Sequence, residues 1–446
     1  MNLTVSPGKP LNGSLSLPGD KSLSHRAALL AAMAAGESRV ENFLVSGVTQ
    51  AMLDALTALG VDWLLRDTTL IVNSRGIGVW QPPVNPLSCG SSATTLRLLA
   101  GALAAAGIPA VLDGSGGLRR RPMQRIVIPL QQMGVSIEAS QGCAPVRLGK
   151  SRLPLRAIDY ALPVASAQIK SCLLFAGLAA SGPTTLREPG PSRDHTERML
   201  NNLGISVTSQ RLTATGDHLE AYITRLEPPK TLVLPPLHLE LPGDISAAAF
   251  LIVAALITPG SEVTLKRAGL NPTRCGIIEA LQSMGADIQI HAAGEQGGEP
   301  VGDISVRSSV LHGTQVSGSL VVRMIDEFPA FAVAAAYAQG RTVIREAEEL
   351  RHKESDRIMA MCTELRSLGV QAEETSDGFE IEGSGVVSGG VVDPHGDHRL
   401  AMSLAVAGLA SSEPVTIRGA EIIHESFPGF RSALESLGAW LSQDER

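Results

Sequence analysis

Pro18-Gly19-Asp20-Lys21-Ser22-Leu23-Ser24-His25-Arg26 runs directly into Ala27-Ala28-Leu29-Leu30-Ala31-Ala32-Met33-Ala34-Ala35-Gly36. Pro-Gly-Asp is turn chemistry, and the alanine–leucine run behind it has high helix propensity. A helix start offers unpaired backbone N–H groups and about half a positive charge, which together attract anions. Lys21, Ser22 and Arg26 add an ammonium, a hydroxyl and a guanidinium to the same turns. For a single motif the plainer alternative is a solvated cap whose charges merely interact with the helix dipole. This one does not stand alone.

Read outward from that stretch, the chain repeats its order of a polar cluster, a small-residue helix, a Gly or Ser turn and a β-branched strand. The clusters are Ser24-His25-Arg26, Ser92-Ala93-Thr94-Thr95-Leu96-Arg97, Ser166-Ala167-Gln168-Ile169-Lys170, Asp244-Ile245-Ser246-Ala247, Asp326-Glu327-Phe328-Pro329 and Asp397-His398-Arg399-Leu400. Their strands are Arg39-Val40-Glu41, Ala110-Val111-Leu112, Thr184-Thr185-Leu186, Glu262-Val263-Thr264-Leu265, Thr342-Val343-Ile344 and Val415-Thr416-Ile417. A second helix follows each and stops at Gly60, Gly134, Gly204, Gly285, Gly369 or Gly438, where a left-handed C-cap calls for glycine. A short strand is expected after every one of these glycines except the last, as at Val135-Ser136-Ile137-Glu138 and Asp287-Ile288-Gln289-Ile290. The glycines lie about 70 to about 84 residues apart, too far for a solenoid and right for a small α/β subdomain.

A chain of 446 residues exceeds what one hydrophobic core serves, so six units predict two domains of three. Glu227-Pro228-Pro229-Lys230 and Leu234-Pro235-Pro236-Leu237 place the hinge near His238. The expected domains are 19–239 and 240–446. One opening strand between Leu3 and Leu17 has the choice of either half and is assigned, as residues 1–18, to the second. Apolar residues at 44% and charged ones at 18% describe a globular chain, and aromatics at only 3% leave its core to Ala, Leu, Val and Ile. A net charge of −7 argues against nucleic-acid binding through bulk charge, so any anion site must be a local concentration of cations. The five cysteines are scattered without metal-ligand spacing, which fits reduced thiols in a cytosol. Met1-Asn2-Leu3-Thr4-Val5 has no signal-peptide pattern, and the apolar runs are interrupted too often to span a bilayer. A soluble cytoplasmic protein is expected.

Six motifs then occur in one order: Gly19–Arg26, Arg121-Pro122-Met123, Pro242-Gly243-Asp244-Ile245-Ser246, Leu270-Asn271-Pro272-Thr273-Arg274, Lys353-Glu354-Ser355-Asp356-Arg357 and Gly396-Asp397-His398-Arg399. As a set they resemble the 5-enolpyruvylshikimate-3-phosphate synthase family of enolpyruvyl transferases, nearly end to end. The resemblance implies an α/β fold of two similar domains, each of three βαβαββ units, an inside-out α/β barrel closing around substrates at the domain interface. It implies transfer of the enolpyruvyl group of phosphoenolpyruvate to the 5-hydroxyl of shikimate 3-phosphate, with release of phosphate, in chorismate and aromatic amino-acid synthesis. The route is addition then elimination through a tetrahedral intermediate. It needs no metal or redox cofactor, and the partners are the two small-molecule substrates, with no nucleic acid and no membrane. A monomer is the expectation, since no partner-binding stripe stands out.

By the same resemblance Arg121, Arg357 and Arg399 hold the phosphate and carboxylate of phosphoenolpyruvate, a task suited to the planar arginine fork. Arg119 and Arg120 read as a solvated basic run. Lys21 bridges both substrates, and Ser22 and Arg26 meet the shikimate phosphate. Ser166, Ala167 and Gln168 match a Ser-Ser-Gln contact to shikimate 3-phosphate that has lost one hydroxyl, with Gln168 also reaching phosphoenolpyruvate. Ser192 matches a further shikimate 3-phosphate contact, and Lys170 is a neighbour able to replace a missing bond. Asp326 takes the hydroxyl proton and touches shikimate 3-phosphate, Glu354 exchanges the methylene proton, and Lys353 supports phosphate. Coupled acids share their titration, so the two transfers are not divided further. The plainer alternatives are a helix-start charge for Asp326 and an ordinary ion pair with Lys353 or Arg357 for Glu354. His25, His352, His395 and His398 read as structural histidines.

Departures from the family pattern are also informative. Cys89-Gly90-Ser91-Ser92-Ala93-Thr94-Thr95-Leu96-Arg97 stands where relatives carry Gly-Asn-x-Gly-Thr along the phosphoenolpyruvate pocket. Ser91 replaces asparagine and Ala93 replaces glycine. A methyl forced into a tight pocket costs a ligand filling that space about 1–3 kcal/mol. Glyphosate occupies that site and is longer than the substrate, so Ala93 is expected to confer glyphosate insensitivity; a simple gain in helix propensity is compatible with the same residue. Glu425 stands where relatives carry a lysine. Two other readings compete. The UDP-N-acetylglucosamine enolpyruvyltransferases read Lys-Asn at Lys21-Ser22 and carry a cysteine in the loop that here is Asp113-Gly114-Ser115-Gly116-Gly117-Leu118-Arg119. A non-catalytic anion-binding scaffold would not need both acids.

Overall fold

The computed structural model describes residues 1–212 and 221–444. The chain divides into an N-terminal unit, Gly19–Leu241 with Glu295–Glu299, and a C-terminal unit, Met1–Pro18, Pro242–Gly294 and Pro300–Arg446. The helices of the N-terminal unit are α1 (Lys21–Met33), α2 (Gly47–Ala58), α3 (Ala93–Ala106), α4 (Gln124–Gln132), α5 (Ala167–Gly177) and α6 (His195–Asn202). Those of the C-terminal unit are α7 (Ile245–Ile257), α8 (Gly276–Ser283), α9 (Ser319–Arg323), α10 (Phe328–Tyr337), α11 (Arg357–Ser367), α12 (His398–Ala407) and α13 (Phe430–Ser436).

Two kinds of helix follow from composition. α1, α3 and α5, and likewise α7, α10 and α12, are rich in Ala and Leu on every side and are buried over almost their whole length. A helix apolar all round belongs inside a core, and these six form the centres of their units. α3 packs against both α1 and α5, and α7, α10 and α12 pack pairwise. The α3–α5 approach is close enough that a Cβ at Gly101 would lie 2.1 Å from the carbonyl oxygen of Cys172. Glycine is therefore required there. α4, α6 and α11 bury one face and leave the other to solvent.

Among the described residues the strands form six separate four-stranded sheets, each containing a parallel pair. The barrel implied by the resemblance is thus one of helices inside and sheets outside; the described strands do not close into a barrel of their own. All six expected strands are present, within Ala35–Glu41, Ala110–Asp113, Thr184–Glu188, Glu262–Gly269, Gln339–Ile344 and Val415–Ile417. All six C-cap glycines have positive φ, from 79° at Gly204 to 107° at Gly438.

Two expectations about the chain ends need correction. The opening segment forms two strands, Asn2–Ser6 and Asn12–Ser16, in different sheets of the C-terminal unit. A strand also follows the last glycine: Trp440–Asp444 pairs antiparallel with Asn2–Ser6, from Asn2 opposite Asp444 to Ser6 opposite Trp440. The sixth unit takes from the N-terminus the hairpin partner that its own sequence lacks. Asn12–Ser16 runs parallel to Glu262–Gly269, while His238–Glu240 runs parallel to Ala35–Glu41. Each is a strand that supplies a sheet far from it in sequence. Among the described residues no helix is long and apolar enough to cross a membrane.

Candidate active site

In the N-terminal unit the predicted residues gather at helix starts. Asp20 caps α1 by accepting a hydrogen bond from the Leu23 amide at 2.9 Å, which places Lys21 and Ser22, both half-buried, in its first turn. Arg26, one turn on, is 2% exposed. It donates through Nη1 to the Ser22 carbonyl at 2.9 Å, through Nε to Thr196 Oγ1 at 2.7 Å and through Nη2 to Ser171 Oγ at 2.7 Å. Three donor directions of its fork are thereby spent on α1, α5 and the start of α6. Burial lowers its pKa to about 10.

Ser92 caps α3 through the Thr95 amide at 3.0 Å and makes Ala93 the first helical residue. Ala93 is 1% exposed and belongs to the apolar core of this unit. Ser166 precedes α5, so Ala167 and Gln168 open that helix. The Gln168 amide is locked: it accepts from Arg97 Nη1 at 2.5 Å and donates to Thr94 Oγ1 at 3.0 Å, while Arg97 Nη2 donates to the Pro122 carbonyl at 2.9 Å. Arg97 thus ties the α5 start to the α3 start and to the Arg121-Pro122 segment. Arg121 follows the turn Leu118–Arg120 and is 9% exposed. Arg119, read as solvated, pairs at the surface with Asp113, Nε to Oδ1 at 2.9 Å, and that bond holds the aspartate below the usual carboxylate range.

Lys170 is not spare. Its ammonium lies 2.7 Å from Glu188 Oε1, 2.8 Å from Glu197 Oε1 and 3.3 Å from the Ser192 carbonyl, with all three ionic side chains buried. Burial alone would lower its pKa, but Glu197 and Glu188 outweigh that and raise it. Ser192 donates its hydroxyl to Glu188 Oε2 at 2.5 Å. The expectation that Lys170 substitutes for a missing hydroxyl therefore gives way to a structural role, in which Lys170 holds the carboxylate that holds Ser192.

The C-terminal unit brings Asp326, Lys353, Glu354, Arg357 and Arg399 together. Asp326 lies in the turn before α10, whose cap is Glu327. Its Oδ1 is 3.6 Å from Lys353 Nζ and 3.5 Å from Arg357 Nη1, and its Oδ2 is 3.9 Å from Arg399 Nη2. Arg399 Nη1 also donates to the Asp326 carbonyl at 3.1 Å. Arg357, 1% exposed, donates through Nη2 to Glu354 Oε2 at 2.7 Å and through Nε to Asp397 Oδ2 at 2.8 Å. Burial opposes its charge, yet Asp397, Glu354 and Asp326 hold the guanidinium firmly protonated. Asp397 is fully buried and also caps α12 through the Arg399 amide at 2.9 Å. Burial pushes its pKa up, but Arg357 more than offsets this and holds it down. One carboxylate therefore fixes the Arg357 fork and caps the helix that carries Arg399. Asp326 and Glu354 keep 18% and 26% of their side chains exposed. With Lys353, 19% exposed, the two acids form the open edge of a cluster whose arginines are buried.

Two functional neighbours carried no role in the sequence reading. Glu327, fully buried, accepts from Ser246 Oγ, lies 3.5 Å from Arg274 Nη2 and 4.0 Å from Arg399 Nη1. Arg274 also donates to Ser246 at 2.7 Å and faces Asp244 at 3.6 Å, which joins the Asp244–Ser246 and Leu270–Arg274 motifs into one network behind Arg399. Asp397 had a visible signal as an Asp at a helix start; its pairing with Arg357, forty positions away, had none. Glu425 ends the turn Ala420–Glu425 and is half-buried. Among the described residues no group of three or more His, Cys, Asp or Glu side chains is placed to hold a metal ion.

Residues 5–434 match the family EPSP synthase (3-phosphoshikimate 1-carboxyvinyltransferase). A 3-phosphoshikimate 1-carboxyvinyltransferase of Salinibacter ruber (strain DSM 13855 / M31) is 46% identical over 431 residues, covering 96% of this chain and 97% of that one. The enzyme of the same name from Desulforudis audaxviator (strain MP104C) is 47% identical over 440 residues, covering 98% and 99%. The solved EPSP synthase from Acinetobacter baumannii superposes with a TM-score of 0.84 at 40% identity, covering 99% of this chain and 100% of that one. With the fold, the order of its motifs and the full-length identity in agreement, this chain belongs to the EPSP synthase (3-phosphoshikimate 1-carboxyvinyltransferase) family.

Proposed function

We propose that the protein transfers the enolpyruvyl group of phosphoenolpyruvate to the 5-hydroxyl of shikimate 3-phosphate and releases phosphate. The observation that carries this reading is the pair Asp326 and Glu354, two partly exposed acids set among Lys353, Arg357 and Arg399. Binding alone needs the cations. Moving one proton off a hydroxyl and another onto a methylene carbon needs the acids as well. Asp326 takes the hydroxyl proton and Glu354 exchanges the methylene proton. Lys353, with Ser22, Arg26, Ser166, Ala167, Gln168 and Ser192, serves shikimate 3-phosphate. Arg121, Arg357 and Arg399, with Gln168 and the Ala93 turn, serve phosphoenolpyruvate, and Lys21 serves both. Charge-assisted hydrogen bonds from prepositioned arginines stabilise the anionic oxygens of the tetrahedral intermediate at little reorganisation cost. The two domains 19–239 and 240–446 with 1–18, a monomeric state and a cytoplasmic location belong to the same proposal.

The test is phosphate release by the purified protein, which should require both substrates together. Binding of both without release would instead favour an anion-binding scaffold. Insensitivity to glyphosate is the finer part of the reading. Ala93 opens α3 beside the Ser92 cap and is buried there. Ala93→Gly should increase inhibition by glyphosate, and wild-type inhibition equal to that of the variant would remove the argument.

A further inference from the structure

The proposed chemistry leaves His25 of the opening motif unused, yet the residue is buried between two elements that the chemistry needs. Its Nδ1 lies 2.7 Å from the carbonyl oxygen of Lys21, and its Nε2 lies 3.3 Å from Ser92 Oγ. A carbonyl carries no hydrogen, so Nδ1 must bear the proton and donate. Burial, reinforced by the charges of Lys21 and Arg26 and opposed by the carbonyls of Lys21 and Val48, lowers the ring pKa to about 4. The neutral ring then has a bare Nε2, which accepts from the Ser92 hydroxyl. Ser92 Oγ in turn accepts from the Thr95 amide at 3.0 Å and the Thr95 hydroxyl at 2.9 Å. The Thr95 hydroxyl also faces the Val48 carbonyl at 3.4 Å.

From this geometry we infer that His25 is a positioning residue: as the neutral Nδ1–H tautomer it fastens the Lys21 turn of α1 to the Ser92–Ala93 turn of α3. The inference rests on the proposed enolpyruvyl transfer, in which Lys21 and the Ala93 turn both meet phosphoenolpyruvate. The helices α1 and α3 already pack against one another, and the imidazole adds a directional polar tie between their first turns. His25 touches no reacting atom. Its loss lets two phosphoenolpyruvate-facing turns drift apart, which weakens that substrate more than shikimate 3-phosphate.

Two variants separate the halves of the link. An asparagine amide nitrogen overlies Nδ1, so His25→Asn keeps the bond to Lys21 and releases Ser92. A glutamine amide reaches the Nε2 position, so His25→Gln keeps an acceptor for Ser92 and releases Lys21. Each variant, and Ser92→Ala, should raise the KM for phosphoenolpyruvate by about five- to tenfold, the factor that corresponds to one lost hydrogen bond. The KM for shikimate 3-phosphate, which meets only the Lys21 turn of the two, should rise less than that for phosphoenolpyruvate, and retained protection by it against thermal unfolding verifies folding. Ser92→Ala also removes the α3 cap, so the test is made in that background: adding His25→Asn to Ser92→Ala should change nothing further, because the bond they share is already broken. Equal rises in both KM values, or full additivity, would overturn the inference. The ¹⁵N spectrum of the wild-type ring decides independently of activity. A pyridine-type signal at Nε2 is expected, and one at Nδ1 refutes the tautomer even if phosphate release is normal. Absence of phosphate release with the expected spectrum would count against the proposed function alone.

Discussion

Replacing Lys170 by methionine removes one ammonium from the interior of the N-terminal unit while nearly conserving side-chain volume. The residues left behind are Glu188 and Glu197, whose carboxylates lie 2.7 and 2.8 Å from the lost nitrogen and are 3% and 5% exposed. Breaking a buried ion pair from one side costs about 3–5 kcal/mol, because a charge is left without a partner. With a Tm sensitivity of about 2–4 °C per kcal/mol for a unit of this size, Tm should fall by roughly 6–20 °C in scanning calorimetry. The sign of the pH dependence is a sharper check. Burial already raises the Glu197 pKa with Lys170 present. Without the lysine the Glu197 value rises further above its unfolded one, so the variant is most stable when this acid is protonated and loses stability as pH rises through the raised value. The Tm deficit should therefore be smaller near about pH 5 than near about pH 8. Adding Glu188→Gln and Glu197→Gln should restore much of the loss, since the amide oxygen introduced by Glu188→Gln still offers an acceptor to Ser192. A Tm within about a degree of wild type, or a deficit identical at both pH values, would refute the buried-pair account.

Asp326→Asn and Glu354→Gln should each lower kcat for phosphate release by roughly 10²- to 10⁴-fold while shikimate 3-phosphate still protects against thermal unfolding; a loss under about tenfold would remove that residue from acid–base work. Asp397→Asn should destabilise by about 3–5 kcal/mol at neutral pH in urea titrations, because Arg357 loses its fully buried partner. Wild-type Asp397 has a depressed pKa. Its contribution is therefore present above the unfolded aspartate value of about 3.9 and lost as pH falls through the folded value, an acid dependence that the asparagine variant should lack. Arg119→Ala breaks only an exposed pair with Asp113. It should leave both Tm and phosphate release at wild-type level, and a tenfold loss of activity would return Arg119 to the binding set.

The parts of the site that the sequence made legible are the local ones. Asp20, Ser92, Asp244, Asp356 and Asp397 each cap a helix through an amide two or three residues ahead. An N-cap needs nothing beyond its own turn, so an Asp or Ser before an apolar run reveals it. The glycine stops are legible for the same reason. The partners of Lys170 were not, although Glu188 and Glu197 lie within thirty positions, because nothing local says which acids a buried lysine will meet. Arg26 shows the same limit: its chemical type was visible, but its three bonds to Ser22, Thr196 and Ser171 depend on α5 and α6 coming beside α1.

By itself the sequence determined six α/β units, their capped helix starts, the glycine that ends each second helix and the motifs that carry the family chemistry. These follow from backbone dihedral preferences and hydrogen bonds closed within a few residues. Only the tertiary structure decided that Asn2–Ser6 completes the sheet of Trp440–Asp444, that Asn12–Ser16 and His238–Glu240 serve sheets far from them in sequence, and that Asp397 pairs with Arg357. Strand pairing and buried charge pairing are set by which surfaces exclude water together, and that depends on every element of a unit at once.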